Sequence, residues 1–277
     1  CWRLSYGWAP IETMKRAQQT RLERFGFSFR RGGAHISRTM MLDELTALLA
    51  FVGDPAADRS VYAYAIKAEN CLGKRSFKTR QLTYGHLVDL YALAPSRLLF
   101  RALVYFWERD VAGRPLLALL CAYARDAHLR ATAPFIREIP EGAGITRPDL
   151  EEFIEARESG RFSKATLRSM AANINSTWTK SGHLLGRVKK VRTRALPTPG
   201  SVSYVLLLGY LSGIRGKALF QSEYAKLLDC AFEEAIPLAE AASRKGWIVF
   251  KRIGDVMEVQ FPNLIKPEEM EWLREQD

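Results

Sequence analysis

Residues 161–194 read RFSKATLRSMAANINSTWTKSGHLLGRVKKVRTR. Leu167, Met170, Ala171, Ile174 and Trp178 recur at three- and four-residue steps and trace one apolar face of a long helix. Ser163 stands where its hydroxyl can take a free first-turn amide, so it is the expected N-cap. Leu184-Leu185-Gly186 then leads into a basic segment, Arg187 to Arg194. Before this helix comes an acidic one, Asp149 to Glu158, and a short Ser-Gly-Arg-Phe turn. Helix, Gly-containing turn, helix and basic segment is the order of a helix-turn-helix followed by a wing.

Charge marks the same stretch. It holds nine cations (Arg161, Lys164, Arg168, Lys180, Arg187, Lys189, Lys190, Arg192 and Arg194) and no carboxylate. Residues 1–38 carry eight cations against Glu12 and Glu23, and the remainder holds 24 basic and 28 acidic residues. The formal charge of +11 is therefore regional, which a merely solubilising surface does not require. With Asn175 on the same helix, the nine cations are the expected DNA-binding set: the helix enters a groove and the wing grips the phosphates. Lys74, Arg75, Lys78 and Arg80 form a secondary basic patch at another helix start, where a phosphate could also sit.

On the N-terminal side, apolar periodicity predicts five helices. They run through Leu42 to Val52, Val61 to Leu72, Phe77 to Tyr91, Leu98 to Trp107 and, behind Pro115, Leu116 to Tyr123. Short connections imply an antiparallel bundle over residues 38–137, after a basic N-terminal extension at 1–37. Pro140, Gly142, Gly144 and Pro148 break the periodicity and mark the boundary to the helix-turn-helix and wing at 146–197. Residues 198–277 read as a second winged-helix-like unit with a C-terminal helix. It has an apolar helix at Val202 to Leu211, a broken one at Lys217 to Asp229, a third at Phe232 to Lys245, and a β-hairpin around Gly254-Asp255. Glu233, Glu234 and Glu240 make this second unit the weaker candidate for touching phosphate. The fold class is thus mainly α, a helical bundle followed by winged-helix-like units with a small C-terminal hairpin.

Catalytic and metal-binding chemistry finds little purchase. Cys1, Cys71, Cys121 and Cys230 are far apart and form no metal spacing or disulfide framework, and Cys121 reads as a small core hydrophobe. No glycine pattern makes a dinucleotide, Walker or nucleophile-elbow loop. His35, His86, His128 and His183 are isolated. Arg125-Asp126, with Arg130 one turn on, reads as a buried structural ion pair, and Trp178 as core rather than a base-stacking platform. No catalytic residue, metal or cofactor is expected. The longest apolar runs fall well short of a membrane span, so a cytoplasmic location is expected. Cys1 to Thr13 lack the order of a signal peptide, and Met14-Lys15-Arg16 reads as a natural start.

Beyond these readings, a scattered set of residues resembles the BrxA family of BREX phage-defence systems over roughly residues 30–262. It comprises Gly32-Gly33, the helix with Glu44, Asn70-Cys-Leu-Gly-Lys74 and the basic helix after it, Ala124-Arg-Asp126, Ser163-Lys-Ala-Thr166, Asn173, Trp178 and Ser181-Gly-His-Leu-Leu-Gly186. The resemblance implies a helical N-terminal part similar to the NusB antitermination fold, winged-helix character behind it, DNA binding, other defence-system subunits as partners, and no enzymatic activity. It also carries an inner-membrane label that the hydropathy does not support. The N-terminal extension and the well-formed second hairpin depart from the shorter members.

Two functional classes follow. The first is a non-enzymatic protein that binds duplex DNA mainly through phosphates. The alternative is an RNA-binding or protein-scaffold subunit that works through its helical bundle.

Overall fold

The computed structural model describes residues 16–274; Cys1 to Lys15, with the signal-peptide and start-site readings, lie outside the described residues. The chain is mainly helical. α1 (Arg16–Phe25) leads through a short 3₁₀ turn (Ala34–Ile36) into α2 (Leu42–Val52), α3 (Arg59–Lys67), α4 (Phe77–Tyr91), α5 (Leu98–Arg109) and α6 (Arg114–Arg125). Each expected bundle helix is present. Ser76 caps α4 by accepting the Thr79 amide, and Pro115 lies in the first turn of α6, where a missing N–H costs nothing. α6 buries its residues Leu116 to Ala124 without interruption, with Cys121 wholly enclosed.

α7 (Ala127–Glu138) follows α6 after one residue, Asp126, whose carboxylate caps it by accepting the His128 and Leu129 amides. Asp126 pairs with His35, not with the neighbouring arginines, which corrects the ion pair expected here. Arg125 instead donates to the carbonyls of Asp89 and Val88 at 2.9 and 3.1 Å, and Arg130 to those of Tyr123 and Ser28, both at 2.9 Å. Arg125 thereby joins α6 to the end of α4, and Arg130 joins α7 to α6 and to the segment after α1.

Next come β1 (Gly144–Ile145), α8 (Arg147–Arg157), α9 (Lys164–Lys180), β2 (Leu184–Leu185) and β3 (Lys190–Arg192). The break in periodicity at 138–148 thus holds a strand. β1 pairs antiparallel with β3, and the sheet order is β1-β3-β2. Helix, strand, two helices and a two-stranded wing whose second strand pairs back to the first is winged-helix topology. α7 packs on α6 of the bundle and on α8.

α10 (Pro199–Leu211) is apolar all round and correspondingly buried, packed across α5 and α6. Its Tyr204 hydroxyl donates to the Leu99 carbonyl at 3.0 Å, and Asp110 at the end of α5 accepts the Gly200 amide at 2.7 Å. Two 3₁₀ turns (Gly216–Gln221 and Ala225–Leu228) replace the broken helix, and α11 (Phe232–Arg244) leads to the hairpin β4 (Val249–Ile253) and β5 (Val256–Gln260). α12 (Pro267–Arg274) closes the described chain. Among the described residues, no helix is long and apolar enough to cross a membrane.

Candidate nucleic acid interface

The surface of α9 divides into three strips. Leu167, Met170, Ala171, Ile174 and Trp178 face the core, where Trp178 is fully buried. Ser163 caps the helix by accepting the Thr166 amide at 3.2 Å.

The second strip is taken by residues 33–43. Ser169 Oγ donates to the Ile36 carbonyl at 3.1 Å, Asn173 Nδ2 to the His35 carbonyl at 3.2 Å, and Lys180 Nζ pairs with Asp43. Thr177 Oγ1 accepts the Met40 amide at 2.9 Å and shares a 2.9 Å hydrogen bond with His35 Nε2, while His35 Nδ1 meets Asp126 Oδ2 at 2.9 Å. Carboxylate, imidazole and hydroxyl in a row is the order of a hydrolase triad. Here all three are enclosed by protein and the hydroxyl oxygen holds a backbone amide, so the row acts as a clamp that seats the N-terminal segment on α9. Burial works to raise the Asp126 pKa, but the charge and hydrogen bond of His35 and the Leu129 amide prevail and bring it to about 2. Gly33 passes so close that an added Cβ would stand 2.3 Å from the Asp126 carboxyl carbon.

The third strip is open. It carries Lys164, Ala165, Arg168 and Ala172, all exposed, and the half-buried Ser176. Next to it stands the wing. Lys190 Nζ donates to Thr179 Oγ1 at 2.7 Å and to the Gly186 carbonyl at 3.1 Å, which stitches the wing to the end of α9, and burial lowers its pKa. The loop 186–189 is tight: Gly186 has φ +106°, and a Cβ there would lie 2.2 Å from the Lys189 carbonyl oxygen. Arg187, Val188 and Lys189 project at its tip, with Val188 88 % exposed.

The expected DNA-binding set is therefore only partly brought together. Lys164, Arg168, Arg187, Lys189 and Lys190 line the open strip and wing and form no ion pair among the described residues. Arg161 pairs with Glu158, Lys180 with Asp43, and Arg194 with Glu234 at 2.7 Å. Two residues are corrected outright. Asn175 is buried within α9's packing, and Arg192 is buried because β3 alternates and turns it inward.

Arg192 bonds both Asp229 oxygens, at 2.6 and 2.5 Å, and donates to the carbonyls of Ile136 and His183 at 3.1 and 3.2 Å. Burial tends to raise the Asp229 pKa, but the Arg192 hydrogen bonds and the positive surroundings hold it below the usual carboxylate range. His183, wholly buried beside them, shares hydrogen bonds with Ser181 Oγ and the Leu227 carbonyl; burial lowers its pKa to about 4.

The secondary basic patch thins in the same way. Lys74 pairs with Glu44 at 3.1 Å, and Arg80 donates to the Lys67 carbonyl at 2.7 Å, leaving Arg75 and Lys78 exposed without an ion pair among the described residues. In the C-terminal part of the chain, the exposed part of α11 carries Glu233, Glu234 and Glu240.

Residue type alone gave no cue to Ala165 and Ala172, whose small side chains leave the open strip unobstructed. Helical spacing does: both fall on the side opposite Leu167, Ile174 and Trp178. Among the described residues, no group of three or more His, Cys, Asp or Glu side chains is placed to hold a metal ion. The chain matches no family model, no curated protein and no solved structure.

Proposed function

We propose that the protein binds duplex nucleic acid, DNA by preference, through α9 and the wing that follows it. One observation carries this reading. The open strip of α9 combines exposed Arg168 and Lys164 with the small residues Ala165 and Ala172, and it continues into a wing tip where Arg187 and Lys189 have no carboxylate partner among the described residues. Small side chains let a helix approach a major groove closely, and unpaired cations displace counterions from phosphates. Base-reading groups on this strip are few, so affinity comes mainly from the backbone and sequence preference is weak.

The resemblance to the BrxA family suggests a setting for this activity, a phage-defence system in which the protein binds DNA without acting on it. The test is a titration of full-length protein with duplex DNA and single-stranded RNA at several salt concentrations. Tighter binding to the duplex and an affinity that falls steeply with salt are expected. A flat salt dependence, or equal binding to single-stranded RNA, overturns the reading.

A further inference from the structure

The helical bundle holds a pocket to which neither α9 nor the wing contributes a residue. It lies where the turn after α2 meets α3, α5 and the start of α6, has a volume of about 110 Å³, and takes its apolar wall from Leu49, Val104 and Trp107. Tyr62 lines it too. That side chain is wholly buried, with its ring edge-on to Phe100 at 5.4 Å, yet its hydroxyl makes no hydrogen bond among the described residues. A phenylalanine would fill the same space, so packing does not explain the hydroxyl, and a buried hydroxyl without a partner costs stability.

Three charged side chains share the pocket with it. The Arg114 guanidinium lies 5.3 Å from the centre of the Trp107 ring and its Nε donates to the Trp107 carbonyl at 3.0 Å, which fixes the group in place. Its two Nη atoms have no hydrogen-bond or ion-pair partner among the described residues. Asp54 accepts the Ala56 amide at 2.9 Å and Glu108 pairs with Arg109 at 3.6 Å, so neither carboxylate closes onto Arg114. Burial, then the negative charge of Asp54 and Glu108, pushes the Tyr62 phenol up to about 12, which keeps it a donor at neutral pH. Two donors and two acceptors of opposite charge thus face one small space without neutralising each other.

We propose that this pocket binds a small free α-amino acid, its carboxylate on Arg114 and the Tyr62 hydroxyl and its ammonium on Asp54 and Glu108. Charge-assisted hydrogen bonds at both ends supply the affinity, and the Leu49, Val104 and Trp107 wall takes the side chain. A simple anion would face two carboxylates and a simple amine would face Arg114, so a zwitterion is the class that both ends accept. The volume restricts the ligand to a short side chain. Nothing in this proposal depends on DNA binding.

The probe is the set of twenty standard amino acids, screened against the full chain by saturation-transfer NMR and followed by titration of each binder. Saturable binding of one or more of the smaller amino acids is expected. The amine that lacks the carboxylate and the acid that lacks the amino group should each bind about tenfold more weakly, the worth of one charge-assisted hydrogen bond. Tyr62→Phe should weaken binding about fivefold and leave the unfolding midpoint unlowered, because the hydroxyl it removes bonds nothing in the protein. Arg114→Gln, which keeps a donor for the Trp107 carbonyl, should weaken it about tenfold or more. Absence of saturable binding overturns the proposal. So does a binder that either one-ended analogue matches in affinity, or one whose affinity is unchanged in both variants.

Discussion

The Arg192 guanidinium forks onto the Asp229 carboxylate, at 2.6 and 2.5 Å, and so joins the wing strand β3 to the loop before α11. The pair is buried, and Arg192 also caps carbonyls from α7 and from the turn after α9. Arg192→Ala would leave Asp229 without its counter-charge and take a donor from the Ile136 and His183 carbonyls. Loss of about 3 kcal/mol of stability is expected, measurable by urea unfolding. The DNA affinity of the remaining folded protein, and its salt slope, should not change.

The opposite pattern is expected for Arg187 and Lys189. Both sit at an exposed wing tip without an ion pair among the described residues, so Arg187→Ala/Lys189→Ala should leave the unfolding midpoint within experimental error. If the five unpaired cations all touch phosphate, log K against log salt slopes at about −4.5, and the double substitution brings it to about −2.7. Fluorescence anisotropy with a labelled duplex between low and moderate salt measures both slopes.

Ala172 tests the groove directly. It is exposed at the middle of the open strip, and glutamate is a good helix former, so Ala172→Glu should fold normally. A carboxylate facing phosphates and bases should reduce duplex affinity more than about tenfold. Circular dichroism checks the fold while anisotropy measures the loss.

The stability of the protein should fall in mild acid. His183 has a folded pKa of about 4 against its ordinary 6.5, because burial penalises the charged imidazolium. Between those values the unfolded chain takes up a proton that the folded one refuses, so stability drops as pH falls from about 6.5 toward 4, by roughly 3 kcal/mol in full. His128 and His86 are shifted in the same direction by burial. Asp126 and Asp229 are shifted downward as acids, so their contribution is intact above the ordinary carboxylate pKa and is lost only at lower pH. Unfolding midpoints at pH 7, 6, 5 and 4.5 should decline, and His183→Gln should flatten part of that decline.

Helix positions were legible where local periodicity and caps mark them, from α2 to α6 and in α8 to α11, whereas α1 and α7 were not read as helices and the broken helix expected at Lys217 to Asp229 is two 3₁₀ turns. Leu167, Met170, Ala171, Ile174 and Trp178 give the core strip of α9 without reference to any other element, and Ser163 and Ser76 cap where their sequence context puts them. The fate of each cation was not legible, because it depends on partners far away in the chain. Arg192 is taken by Asp229 and Lys180 by Asp43, 37 and 137 residues distant. The same holds for β1: a two-residue strand has no periodicity of its own and forms only because β3 is there to accept it. β3 turns Val191 outward and both Lys190 and Arg192 the other way, and the two cations differ by their distant partners: Thr179 and the Gly186 carbonyl hold Lys190, while Asp229 holds the buried Arg192.

The clamp of His35 on Asp126 and Thr177 makes the seating of the N-terminal segment on α9 sensitive to small changes in position. Gly33 approaches the Asp126 carboxylate so closely that a Cβ there must displace it by more than an ångström from its 2.3 Å contact. Asp126 caps α7 and holds His35, so it cannot move without losing the His128 and Leu129 amides. Gly33→Ala should therefore cost about 2 kcal/mol or more, through overpacking and a broken cap. His35→Ala should cost about as much by leaving Asp126 buried with one partner fewer and Thr177 exposed to a void. Both variants should free Ser169, Asn173 and Lys180 on α9. Hydrogen exchange is the measurement: the Met40 amide, which donates to Thr177, should lose protection in both, while amides in the centre of α9 stay protected. Equal loss across all of α9 would mean that the segment supports the helix as a whole rather than one strip of it.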